Sequence, residues 1–267
     1  KGARHVPAMP GMLTKADTKL IHALKTRRGR EKHDLFLVEG VRVVEDLLAS
    51  RIDLQFAVAA TTLGDNPRGR ELQKSLAEAT TVHTLDERSL AQVTETEAPQ
   101  GVLVVARVPH TRLPDVRLDA DSVVLVLDAV QDPGNLGTLI RSADAFGASA
   151  VVALPGTTDY WSPKVIRSAT GAAFRRPLIN ASEEETWAWL AEHDVAICGA
   201  DMNGVAADSV RIDCAIALVV GNEGAGLREG TRARLEHLLA IPMRGETESL
   251  NVAVAASILL YELTRRR

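Results

Sequence analysis

Three uninterrupted apolar blocks constrain this chain more than any other feature: Ser122–Leu127 (SVVLVL), Ala150–Leu154 (AVVAL) and Ala215–Val220 (AIALVV). A strand with one wet face alternates polar and apolar residues. A strand that is apolar throughout has both faces covered, as in a parallel sheet layered between helices. Val195–Gly199 has the same character. Helical spacing falls between the blocks, at about Leu136–Phe146, Pro163–Ala173, Glu183–Glu192 and Arg228–Leu235. Gly147, just past Phe146, fits a left-handed helix stop. The pattern predicts an α/β domain over residues 121–267 with a mostly parallel sheet. Its last helix, Leu250–Leu263, is apolar nearly all round and should be buried on more than one side. An interface between subunits and a helix sandwiched within one subunit both satisfy that.

The front of the chain has the same rhythm in shorter pieces. Strands are expected at Leu35–Val38, Leu54–Ala59, Thr81–Thr84 and Gly101–Val108, with helices at Lys15–Arg30, Val41–Ser50, Arg68–Ala79 and Asp86–Val93. Residues 1–14 hold Pro, Gly and Met without period and read as a flexible arm. A smaller α/β domain therefore occupies residues 1–108 together with this arm. Residues 109–120, with two prolines and no long apolar run, read as a linker.

Composition narrows the function. The 46% hydrophobic and 25% charged content is that of a globular chain. No apolar run is long enough to span a bilayer, and the first residues lack the basic-then-apolar layout of a signal peptide. Cys198 and Cys214 have neither metal-ligand spacing nor a framework of partners, so no metal is expected and a reduced, cytoplasmic protein is. A net charge of −4 argues against nonspecific coating of nucleic acid. A local basic run nevertheless stands out: Lys15, Lys19, Lys25, Arg27, Arg28, Arg30 and Lys32 against Asp17 and Glu31. It fits phosphate contacts, and equally a solvated helix face. With 3% aromatic residues, base-stacking platforms are not expected.

Polar loops at the ends of the strong strands carry the chemistry. Asp132-Pro133-Gly134-Asn135 lies between a strand and a helix, where Asn135 is placed to cap and Pro133–Gly134 to turn. Arg141 follows on an otherwise apolar and small-residue helix. Asn135 and Arg141 thus sit near the carboxyl end of a parallel strand, where open α/β sheets bind ligands. Gly221-Asn222-Glu223-Gly224-Ala225-Gly226 does not match the dinucleotide or Walker patterns. Its glycines indicate close backbone approach to a chain segment or a ligand. Ser249-Leu250-Asn251 opens the final helix at a natural capping position.

In order and wording these three segments (LDAVQDPGNLGTLIRSADAFG, LVVGNEGAGL and IPMRGETESLNVAVAASILLYEL) resemble the signature motifs of the SpoU/TrmH RNA methyltransferases, the ribose 2′-O branch of the SPOUT superfamily. The resemblance is close over about residues 120–267. It implies a deep C-terminal trefoil knot, S-adenosyl-L-methionine as cofactor and a homodimer formed through the C-terminal domain. Catalytic positions would be Asn135, Arg141, Glu223, Ser249 and Asn251. Gly221, Ile241, Leu250 and nearby Met243 would hold the cofactor. The front domain resembles, more loosely, the family's accessory RNA-binding domain, with Phe36-Leu37-Val38-Glu39-Gly40 as its marker. Arg27, Arg28, Arg30 and Lys32 are candidate RNA contacts, and Lys164 and Arg167 fit RNA phosphates and ordinary surface charge equally. Such a domain favours ribosomal RNA, of the large subunit, over tRNA.

The implied reaction transfers the sulfonium methyl to a ribose 2′-hydroxyl, with Arg141 clamping phosphate and hydroxyl. Transfer RNA as substrate and a non-catalytic role in ribosome assembly are the alternatives. A dinucleotide enzyme is disfavoured because no glycine fingerprint follows the first strand.

Overall fold

The computed structural model describes residues 13–96, 99–246 and 249–265. Residues 1–12 of the expected arm lie outside them. Within the described residues, Thr14 caps the first helix, its hydroxyl accepting the Asp17 N–H while Asp17 accepts the Thr14 N–H in return.

The chain divides into two compact units, one comprising residues 1–109 and 161–174, the other residues 110–160 and 175–267. The first unit opens with α1 (Lys15–Leu24) and α2 (Arg27–His33). The sequence predicts one helix here. Thr26 breaks it by adopting an extended backbone and accepting the Gly29 N–H, which starts a new helix. Then follow β1 (Leu35–Glu39), α3 (Val41–Leu48), β2 (Leu54–Ala60), α4 (Pro67–Ala79), β3 (Val82–Leu85), α5 (Glu87–Val93) and β4 (Val102–Arg107). The strands form a sheet of order β1-β4-β2-β3, in which only β2 and β3 run parallel. Leu35 and Leu37 of β1 join Phe56, Val58, Leu103 and Val105 in one core. Phe36 points to the other face, with its ring 4.7 Å from that of Trp161.

The second unit holds β5 (Val123–Leu127), α6 (Pro133–Ala145) and β6 (Ala150–Ala153). The intervening α7 (Pro163–Ala169) belongs to the first unit. The second unit resumes with β7 (Leu178–Asn180), α8 (Glu183–Glu192), β8 (Ala196–Ala206), β9 (Ile216–Val220), α9 (Glu229–Arg232), β10 (His237–Ala240) and α10 (Val252–Thr264). All pairings in its six-stranded sheet, of order β10-β8-β9-β5-β6-β7, are parallel. Both faces are covered, as the apolar blocks predict. Val124, Val126, Val152, Ala217 and Val219 pack with Trp187 and Leu190 of α8, while α6 and α10 cover the opposite face. β7 is a strand that the spacing does not reveal, and the helix expected over Arg228–Leu235 contracts to α9.

The segment read as a linker is not a bare connection. A 3-10 turn at Leu113–Asp115 seats Leu113 and Val116 in the core beneath α8. Leu113→Ala should therefore lower the unfolding free energy by about 2–3 kcal/mol, as for a buried leucine, measured by urea denaturation. A loss within about 0.5 kcal/mol, the norm for exposed connections, would return the segment to a linker.

Candidate active site

Adjacent parallel strands place their carboxyl ends on one edge. After β5 the chain moves outward to β6 and β7, while β9 lies on the other side of β5. The crevice between the ends of β5 and β9 is thus a topological switch point, the position where such sheets bind ligands. Two loops meet there, residues 128–132 and 221–228.

Asp128 directly follows β5 and is fully buried. Its carboxylate accepts the Arg228 backbone N–H at 2.9 Å and the Arg228 Nε–H, while Arg228 Nη1 reaches Glu183 at 2.8 Å. A carboxylate at this depth needs such a cation and hydrogen bonds. Next, Ala129 takes a left-handed backbone (φ 60°), and its carbonyl accepts the Asn222 side-chain amide at 3.0 Å. The Asn222 carboxamide oxygen in turn accepts the N–H groups of Gly224 and Ala225, closing the second loop on itself. Gly221 is required because a Cβ there would lie 2.3 Å from the Gly226 backbone. The close approach expected from the glycines is therefore made within the loop.

Glu223 joins the two loops. Its Oε2 accepts the Gln131 N–H at 3.1 Å, and its Oε1 accepts the Asp132 N–H at 2.9 Å and the Asn135 amide at 3.1 Å. Partial burial works to raise the Glu223 pKa, but the hydrogen bonds from Asp132, Asn135 and Gln131 outweigh it and hold the group below the ordinary glutamate value. Asn135 is not the cap expected from the sequence. Asp132 caps α6 by accepting the Asn135 N–H at 2.8 Å, which leaves the Asn135 side chain to bridge. Its Oδ1 accepts the Asn251 amide at 2.9 Å, and Asn251 Oδ1 caps α10 by accepting the Ala253 and Val254 N–H groups. Glu223, Asn135 and Asn251 thus form one continuous network.

A cleft of about 470 Å³ adjoins it, and Glu223 lines it. Gly221, Ile241, Met243 and Leu250, the four expected cofactor positions, all line this cleft, as does Ser249. A larger depression of about 800 Å³ in the first unit lies among Arg68, Arg88 and Gln100. It gathers none of the strand-end loops, so the smaller cleft is the candidate site. Arg141 stands apart. It is exposed on α6, about two turns beyond Asn135, with no side-chain partner among the described residues.

The expected RNA contacts divide. Arg27, Arg28 and Lys32 are exposed on α2, and Lys164 is exposed on α7. Arg27 pairs with Glu31 four residues on, a surface pair of little energetic weight. Arg167 is half-buried and lies 3.8 Å from Glu95. Arg30 requires a correction. It is buried, and its Nη1 donates to the Leu24 carbonyl at 2.8 Å, satisfying the end of α1 instead of facing a phosphate. Sequence reasoning also missed Asp128, Arg228 and Asn222. A charged residue directly after five apolar strand residues was the available signal for Asp128, since such a carboxylate needs a buried partner.

Among the described residues no cluster of His, Cys, Asp and Glu could hold a metal, and no helix is long and apolar enough to cross a membrane.

Comparison with known proteins gives two family matches. The model described as "SpoU rRNA Methylase family" matches residues 122–261, and that of the "MRM3-like substrate binding domain" matches residues 15–104. The chain is 38% identical over 248 residues to the 23S rRNA (guanosine(2553)-2′-O)-methyltransferase RlmP of Bacillus subtilis, covering 92% of this chain and 94% of that protein. Among solved structures it is similar to the AdoMet-bound rRNA methyltransferase from Sinorhizobium meliloti, with 29% identity, a TM-score of 0.85, and coverage of 95% of this chain and 96% of that one. It is likewise similar to the SpoU methyltransferase AviRb from Streptomyces viridochromogenes in complex with AdoMet, with 27% identity, a TM-score of 0.85, and coverage of 95% and 98%.

Because the Glu223 pKa is depressed in the fold, its stabilising effect should be complete above the ordinary value of 4.5 and fade as pH falls through the lower folded value. The denaturation midpoint of Glu223→Gln should lie below that of the unsubstituted protein at neutral pH, and the gap should narrow below pH 4.5. A gap independent of pH would remove the ionised clasp from the account.

Proposed function

Because the chain belongs to the SpoU rRNA methylase family, we propose that it transfers a methyl group from S-adenosyl-L-methionine to a ribose 2′-hydroxyl of 23S ribosomal RNA. The observation that carries this reading is the juxtaposition of the Glu223–Asn135–Asn251 network with a cleft lined by Gly221, Ile241, Met243 and Leu250. The cleft suits an adenosyl group. Met243 and Leu250 are 40% and 37% exposed, so apolar surface is open to a ligand face, and the tight Gly221 turn presents main chain beside it. Relatives named as 23S rRNA methyltransferases, and the substrate-binding-domain match over residues 15–104, favour ribosomal RNA over tRNA. The intact network argues against a non-catalytic assembly factor. We place the protein in the cytoplasm with its RNA.

When bound, the cofactor supplies a methyl group already activated by its sulfonium. The chain's own task is to orient the hydroxyl and guide its proton away. A guanidinium with a pKa above about 12 is a poor base. Arg141 therefore clamps the phosphate next to the target ribose and its 2′-hydroxyl, and a phosphate oxygen accepts the proton. Glu223 holds Asn135, and Asn135 with Asn251 and Ser249 orients the ribose. Arg27, Arg28, Lys32, Lys164 and Arg167 contact RNA.

The C-terminal domain forms a homodimer through α10. Val254, Ile258 and Tyr261, spaced to share one helix face, are 46%, 41% and 52% exposed in the single chain. The expectation of a helix covered on several sides supports a partner on that face. The family's trefoil knot is part of the same reading, with α10 packed on α6, β9, β5 and β8.

Labelled methyl from the cofactor should appear in 23S rRNA as an alkali-resistant dinucleotide. Label in tRNA alone would overturn the substrate class, and label lost on alkaline hydrolysis would overturn the 2′-O position. Arg141→Ala should slow turnover by at least about 10²-fold, the scale for removing one transition-state contact, with cofactor affinity retained. Near-normal turnover would dismiss Arg141. Sedimentation should report a dimer that Ile258→Asp converts to monomer; a monomeric parent protein would remove the α10 interface.

A further inference from the structure

One end of the cleft is charged in a way the reaction above does not use. Where β8 runs beside β10, Leu238 pairs with Gly199, but the next residue, Leu239, pairs with Val205. Residues 200–204 therefore stand out of the ladder as a bulge, a device that re-aims side chains at strand ends. Gly204 sets the return, since a Cβ there would lie 2.4 Å from the Leu238 carbonyl oxygen. The excursion carries Asp201, Met202 and Asn203 to the cleft wall. Asp201 Oδ1 accepts the Asn203 N–H at 2.9 Å, and Oδ2 accepts Arg232 Nη2–H. Arg232, at the end of α9, lines the same cleft.

The pair is asymmetric. The Asp201 side chain is 10% exposed, whereas that of Arg232 is 47% exposed. The Asn203 N–H foremost, and the Arg232 guanidinium against the opposing effect of burial, hold Asp201 below the ordinary carboxylate range. Its charge thus stays in place to fix the guanidinium. Among the described residues that line the cleft, Arg232 is the sole cation, and the anions are Asp201 and Glu223. Glu223 is committed to the strand-end loops.

The cofactor of the proposed function carries one anionic group, the α-carboxylate of its amino-acid portion, and a guanidinium matches a carboxylate in shape and charge. We propose that Arg232, oriented by Asp201, seats this α-carboxylate and so distinguishes the whole cofactor from its nucleoside fragment. The inference rests on the cofactor reading above.

Calorimetry on the full chain with two ligands tests it. S-adenosylhomocysteine keeps the amino-acid portion, while 5′-methylthioadenosine keeps the adenosine and sulfur but lacks the carboxylate. Arg232→Ala should weaken S-adenosylhomocysteine by about tenfold or more, the scale of a lost charge-assisted hydrogen bond. Binding of 5′-methylthioadenosine should stay within about twofold, which also reports that the cleft is folded. Equal losses for both ligands would mean that the pair only holds the bulge, and no loss for either would leave Arg232 outside the site; each result overturns the proposal. If the unsubstituted protein binds neither compound, the cofactor reading itself falls, an outcome distinct from the other two.

Discussion

A single carboxylate, that of Glu223, holds together two loops that start from different strands. It can do so because β5 and β9 are neighbours in a parallel sheet, so both loops leave the same edge. Four N–H donors converge on its two oxygens, from Gln131, Asp132, Asn135 and, at 3.4 Å, the Asn222 amide. Charge-assisted bonds of this kind are stronger than neutral ones and fix direction as well as distance. Once the two loops are joined, the Asn135 amide has one orientation, and through it Asn251 has one as well. Beneath this clasp the Asp128–Arg228 pair fastens the same two loops at their base.

Much of the fold was legible in the sequence for a simple reason. Strands buried on both faces cannot hide their apolar continuity, and SVVLVL, AVVAL and AIALVV each mark a strand of the central sheet. What escaped was short or settled by distant partners. β7 spans only Leu178–Asn180. The break between α1 and α2 rests on Thr26, whose hydroxyl cap is invisible to a pattern of apolar spacing. Leu113 and Val116 look like linker residues because their core neighbours, among them Trp187 and Leu190, lie far along the sequence.

The candidate site was legible in its residue types more than in its bonds. The resemblance singled out Asn135, Glu223 and Asn251, which the fold draws into one network. Local spacing assigned Asn135 the capping work that Asp132 performs, because both stand near the helix start. Asp128 and Arg228 lie 100 residues apart in the chain, and no local pattern links them. Arg30 was misjudged for a related reason. A run of basic residues reveals charge, while the direction of each side chain depends on how α2 packs against α1.

Asn251 has two duties on one side chain. Its oxygen caps the first turn of α10, and its amide nitrogen reaches Asn135. The N-terminal turn of a helix is its weakest place, since its first N–H groups lack intrahelical acceptors. Fraying of α10 and loosening of the site are consequently one event. Any ligand that steadies Asn135 or Asn251 also tightens the start of the last helix, whose outer face carries Val254 and Ile258. Occupancy of the cleft region and order at the far surface of α10 are thereby joined through a single asparagine.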